Sequence, residues 1–287
     1  MNIPALQYIE LPTGRLAYRV GGEGPPLLLI HGWGGSSRHW LAAFVTLTEG
    51  HTVYAIDMPG YGESPPGANG SGLRGLSLAV LAFIDTLNCG SVSLCGHSLG
   101  GAVALMVAAS RPNQVERVAL VSFGIARSDE EETRYRDLGT QMGTAAAFWA
   151  PWLALSRPWL ALSRPWRQLA WSTPPLPTLL AGPMLHHLPD APLLALGIAD
   201  LAAMDALSSI EGAASTGDPL LTQAIRRTTM PTLVLGGRED PIFPPSSATA
   251  LAAALADTHV VIINECGHVP MVEQPAVCYA TLGEFFG

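Results

Sequence analysis

Gly96-His97-Ser98-Leu99-Gly100 stands between the apolar run VSLC and the helix-forming stretch AVALMVAAS. Strand, sharp turn and helix are the setting in which the serine of a G-x-S-x-G pattern is exposed as a nucleophile. A Cβ at Gly96 or Gly100 would crowd that turn, and the helix behind Ser98 offers free N–H groups and a positive dipole end to a developing oxyanion. A nucleophilic serine also needs a base and an acid that orients the base. Both are available downstream at expected strand ends. Arg238-Glu239-Asp240-Pro241 follows PTLVLGG, and Glu265-Cys266-Gly267-His268 follows THVVIIN.

Other reactive residue types have simpler readings. His31 and His97 adjoin the glycine-bearing motifs and are expected to stabilise loops, and Asp57 is expected to fix the turn Asp-Met-Pro-Gly-Tyr-Gly. His186 and His187 are adjacent, but nothing nearby has zinc-site spacing, so no metal is expected. Gly60-x-Gly62-x-x is followed by Pro65 rather than glycine and fails as a nucleotide fingerprint. Cys89, Cys95, Cys266 and Cys278 show neither C-x-x-C spacing nor disulfide-scaffold density, which reads as buried free thiols in a reducing cytoplasm.

The elements that must position these groups follow from the rhythm of apolar runs. LQYIEL and GRLAYRV read as an opening hairpin, and PLLLIHG, TVYAID, VSLCG and VERVALVSF as buried strands. Arg38–Leu47, Leu76–Leu87 and Ser98–Ser110 carry helical spacing between them. From Gly124 to about Thr228 the chain turns rich in Trp, Pro, Leu and Ala, with helical pieces and no strand, and Ser128 with Glu131 reads as a capped helix start. The alternation then resumes with PTLVLGG, Ser246–Leu255, THVVIIN and Gln274–Phe286. The expectation is an α/β fold: a mostly parallel eight-stranded sheet with helices on both faces. Its core would comprise 1–123 and 229–287, interrupted by a mainly helical cap over 124–228.

Composition narrows the chemistry. The chain of 287 residues is 48% hydrophobic and carries a net charge of −8, so no basic footprint for nucleic acid is present. All 15 basic residues are arginine, which excludes a P-loop lysine, a Ser-x-x-Lys dyad and a lysine Schiff base. MNIPALQYIE lacks the basic and apolar regions of a signal peptide, and prolines interrupt every long apolar stretch, so no membrane span is expected.

Five blocks in order, HGWGGSSRHW, IDMPGYGESP, GHSLGGAVAL, GGREDPIFP and GHVPMVEQP, give the core a specific resemblance to the α/β-hydrolase superfamily. More narrowly, it resembles lidded serine carboxylesterases such as those that demethylate pimeloyl-carrier-protein ester. The resemblance implies Ser98 as nucleophile, His268 as general base and then acid, and Asp240, in the family's Asp-Pro slot, as the orienting acid in preference to Glu239. It also implies an oxyanion hole from the backbone N–H groups of Trp33 and Leu99. The implied activity is cleavage of a small-molecule carboxylic ester, with no cofactor. The same triad serves perhydrolysis, lactone or thioester cleavage, acyl transfer and some carbon–carbon bond hydrolysis, and some relatives of this kind act as ligand receptors. Serine at position 98 argues against epoxide hydrolase and dehalogenase chemistry, which resembles a variant with aspartate there.

The insert, which the resemblance does not cover, contains PWLALSRPWLALSRPW over 151–166. A proline in each seven-residue unit argues against a coiled coil, at about 3 kcal/mol per interruption. Short helical steps are expected instead, presenting Trp152, Trp159 and Trp166, with Trp33, to an apolar or bulky substrate. A tolerated duplication is the competing explanation. Contact of the insert with a membrane surface is a third placement, disfavoured by the negative charge and the prolines.

Overall fold

A computed structural model describes residues 4–128, 130, 131, 133, 137, 184–189, 191–215 and 218–287. Its eight strands are β1 (Gln7–Leu11), β2 (Gly14–Gly21), β3 (Pro26–Ile30), β4 (Thr52–Ile56), β5 (Val92–His97), β6 (Val115–Val121), β7 (Thr232–Gly237) and β8 (Thr258–Ile263). They form one sheet in the order β1-β2-β4-β3-β5-β6-β7-β8. The β1–β2 and β2–β4 pairs are antiparallel and every later pair is parallel.

Both faces of the central strands are buried, which is why they read as continuous apolar runs. Leu28, Ile30, Leu94, Val118, Leu120 and Val234 enter the core on one face. Their neighbours Leu27, Leu29, Cys95, Ala119, Leu233 and Leu235 enter the other. Helices close the layers: α1 (Ala43–Thr46), α2 (Leu73–Leu87), α3 (Leu99–Ser110), α4 (Ala191–Ala203), α5 (Ala206–Ala214), α6 (Pro219–Arg227), α7 (Pro245–Ala254), α8 (Pro270–Glu273) and α9 (Pro275–Phe286).

The helix expected over Arg38–Leu47 is broken into a 3-10 turn (Ser37–Trp40), the short α1 and a second 3-10 turn (Leu47–Glu49). Val45, Thr46 and Thr48 are β-branched, which lowers helix propensity here, and the Thr48 hydroxyl donates to the Phe44 carbonyl at 2.8 Å where α1 gives way to the second 3-10 turn. At the start of the insert Glu131 N–H donates to Ser128 Oγ at 3.3 Å, as the capping pattern predicts. At its end, α6 places Ala224 and Ile225 in the main core. Strand order reverses between β3 and β5, and the loops leaving those two strands diverge there. That is where an open α/β sheet presents a crevice for ligands.

Candidate active site

Ser98 follows β5 directly and caps α3 with φ 51° and ψ −117°, a conformation that costs a non-glycine residue about 1–3 kcal/mol. The turn is held because no side chain fits around it. A Cβ on Gly96 would collide with the Gly100 carbonyl, and one on Gly100 with the carbonyls of Ile30 and His31. That contact presses the start of α3 against the end of β3.

β7 and β8 deliver the other two groups. His268 Nδ1 lies 2.9 Å from Asp240 Oδ2, and its Nε2 lies 3.1 Å from Ser98 Oγ. A carboxylate can only accept, so Nδ1 carries the proton and the Nε2 lone pair faces the serine hydroxyl. The second Asp240 oxygen accepts from the N–H groups of Ile242 (2.8 Å) and Phe243 (3.0 Å), which fixes the carboxylate plane. Glu239 points elsewhere: its carboxylate accepts from Cys266 N–H at 2.9 Å. His97, buried and held neutral by that burial, donates from Nε2 to the His268 carbonyl at 2.8 Å. This arrangement can draw the proton from Ser98 Oγ as the oxygen attacks an acyl carbon.

The loop after β3 is braced from below. His31 donates from Nδ1 to the Gly32 carbonyl at 2.7 Å and accepts at Nε2 from Met58 N–H at 2.9 Å. Burial pushes its pKa down, which favours the neutral ring this bridge requires. Asp57 accepts from Ser37 N–H (2.6 Å) and Glu63 N–H (2.8 Å), fixing the turn as its sequence setting suggests. Among the described residues, neither the N–H of Trp33 nor that of Leu99 donates to a backbone carbonyl.

Residues 27–281 match the alpha/beta hydrolase family. The chain belongs to that family. It is 29% identical over 260 residues to a pimeloyl-[acyl-carrier protein] methyl ester esterase of Aromatoleum aromaticum, covering 88% of this chain and 95% of that one. It is 42% identical over 122 residues to a dihydrolipoyllysine-residue acetyltransferase component of the acetoin cleaving system of Pseudomonas putida. That match covers 42% of this chain and 33% of the relative, so the chain spans about a third of that protein's length. A hydrolase from Pseudomonas aeruginosa PA01 shares the fold with a TM-score of 0.73 at 24% identity, over 100% of both chains.

In this alpha/beta hydrolase the described parts of the insert hold the loops that carry Trp33, Tyr61 and His268. Trp33 Nε1 donates to the Ser209 carbonyl of α5 at 2.9 Å, and Tyr61 Oη donates to the Ser208 carbonyl at 3.1 Å. On α4, the buried Asp200 accepts from Ser36 Oγ at 2.7 Å and lies 2.5 Å from Arg38 Nη2. Burial lifts the Asp200 pKa to about 6, against the pull of Arg38 and Ser36. His39 Nε2 is 3.9 Å from the same carboxylate, yet burial holds its pKa down at about 3, so the ring is neutral and this is not an ion pair. His268 N–H donates to the Met184 carbonyl at 2.9 Å.

Trp152, Trp159 and Trp166 lie outside the described residues. His186 and His187 are exposed, and among the described residues no group of three or more His, Cys, Asp or Glu could hold a metal. Cys95, Cys266 and Cys278 are buried free thiols, while Cys89 is half-buried. Burial pushes the Cys266 pKa up to about 12, and raises those of Cys95 and Cys278, so these thiols are not nucleophiles. No described helix is long and apolar enough to cross a membrane.

Proposed function

We propose that the chain hydrolyses carboxylic esters through an acyl-enzyme on Ser98, with an apolar or bulky group on one side of the ester. The observation that carries this reading is His268 standing between Ser98 Oγ and Asp240 Oδ2, at 3.1 and 2.9 Å. Ser98 Oγ attacks the ester carbonyl carbon while its proton passes to His268 Nε2. The carbonyl electron pair moves onto oxygen, facing the N–H groups of Trp33 and Leu99. Loss of one such donor costs about 3 kcal/mol in a comparable site. When the tetrahedral adduct collapses, the alkoxide leaves with the proton from Nε2. Water then gives its proton to Nε2, adds to the acyl carbon, and the second collapse returns the proton to Ser98 Oγ.

Likeness to a methyl ester esterase over 88% of the chain supports an ester substrate. The stretch shared with an acetyltransferase component supports a second reading, in which an acceptor other than water discharges the same acyl-enzyme. A panel of p-nitrophenyl esters from acetate to palmitate, run with and without alcohol or thiol acceptors, tests both. Turnover that rises with chain length supports the apolar-substrate reading. Acyl product found on the acceptor in preference to water supports the second, and no turnover of any ester opposes both.

A further inference from the structure

The carboxylate of Glu273 accepts from four backbone N–H groups. Gly267 (3.0 Å) and Val269 (3.1 Å) flank His268 on either side, while His186 (2.7 Å) and His187 (3.1 Å) belong to the insert. We propose that Glu273 is a positioning residue that holds His268 in register with Ser98 and ties that register to the insert. The proposal rests on the Ser98–His268–Asp240 reading.

The loop carrying His268 has no ladder or helix to define it until Pro270 opens α8. Its polar backbone groups are fixed from outside instead. The His268 N–H goes to the Met184 carbonyl, its carbonyl takes His97 Nε2, and the N–H on each side of it goes to Glu273. Glu273 is itself anchored on α8, where its N–H donates to the Val269 carbonyl at 2.9 Å. A second observation supports the clamp independently. A Cβ on Gly267 would run into His186 N and the Met184 carbonyl, so insert and histidine loop meet backbone to backbone with no side chain between them. Four N–H donors around one carboxylate are charge-assisted bonds, roughly twice as strong as neutral ones. Removing the carboxylate orphans donors on both flanks of His268, and a displacement of about 1 Å at a catalytic group costs on the order of a hundredfold in rate. Glutamine keeps one accepting oxygen but turns an NH2 towards the remaining donors, so it would restore only part of the clamp.

The full-length chain and its Ser98→Ala, Glu273→Ala and Glu273→Gln variants are compared with p-nitrophenyl acetate and with a fluorophosphonate, well below the melting temperature of each. Glu273→Ala is expected to lower kcat and the rate of Ser98 phosphonylation together, by about 10- to 100-fold, with KM little changed and Glu273→Gln in between. A Glu273→Ala protein that melts earlier but keeps wild-type kcat and labelling rate would show a mere brace and overturn the proposal. So would a rise in KM alone. If the alanine variant does not fold, Glu273→Gln is judged by the same criteria. Ser98→Ala separates the two levels. If it still turns over ester, the triad reading fails; if it is inert while both Glu273 variants are unimpaired, only the positioning role fails.

Discussion

The indole Nε1 of Trp33 donates to the Ser209 carbonyl at 2.9 Å, so the residue proposed to offer an oxyanion donor with its backbone is fastened to the insert by its side chain. Ser36 and Arg38, a few residues on, are fastened to Asp200 of α4. Position of the insert and geometry of the loop are therefore linked. Trp33→Phe removes the Nε1 donor together with the five-membered ring, and loss of the bond to the Ser209 carbonyl carries a net cost of about 1 kcal/mol. The expected result is a fall of about 2–4 °C in the melting temperature. Calorimetry showing no change would mean that this bond contributes nothing to docking α5.

Asp240 and Glu239 are neighbours in sequence with opposite assignments in space. Asp240→Asn removes the group that fixes the His268 tautomer and is expected to lower kcat by about 10,000-fold. Glu239→Gln retains an acceptor for Cys266 N–H and should leave kcat close to that of the wild type. Steady-state kinetics on the pair check this, and the reverse pattern would move the acid to Glu239.

Ser98 adopts its conformation at a cost in stability. Its φ and ψ mirror an ordinary extended conformation, which glycine occupies readily and alanine does not. Ser98→Gly should therefore melt about 2–4 °C above Ser98→Ala, reflecting roughly 1 kcal/mol of relieved strain. Equal melting temperatures would argue that the turn is unstrained.

Two buried groups behind the loop respond to pH in opposite senses. Asp200 holds its proton up to about pH 6 when folded, so the native state binds more protons than the unfolded chain between about pH 4 and that value. Its contribution to stability therefore falls as pH rises through that window. His39 stays neutral down to about pH 3 when folded, so the unfolded chain binds the extra proton below its ordinary value of 6.5. Its contribution rises with pH. Urea unfolding from pH 4 to 7 should show the stability of Asp200→Asn improving relative to wild type as pH rises. His39→Gln should lose the rising contribution, so that its stability falls relative to wild type as pH rises, by up to about 1.4 kcal/mol per pH unit. Parallel profiles for all three proteins would contradict both assignments.

Much of this was legible in the sequence because the determining signals are local. PLLLI and TLVLGG are apolar on both faces, which only a covered parallel sheet satisfies, and Gly96 and Gly100 bracket Ser98 within one turn. Strand ends alone mark Asp240 and His268, but the choice between Asp240 and Glu239 rests on the family resemblance, since two adjacent carboxylates differ only in where the backbone aims them. Asp200, Ser209, Met184 and Glu273 carried no comparable local signal, because their partners lie 164, 176, 84 and up to 87 residues away. For Glu273 the GHVPMVEQP block marked the place without revealing the clamp. Apolar spacing over Arg38–Leu47 does not register the 3-10 turns that flank α1 on either side.

The central claim is that Ser98 is the nucleophile. Intact-mass and peptide analysis after treatment with a fluorophosphonate tests it most directly. The account predicts one adduct per chain, located on Ser98, lost on prior heat unfolding and absent from Ser98→Ala, which should also have lost ester turnover. An adduct on another residue, or undiminished turnover by Ser98→Ala, would contradict it.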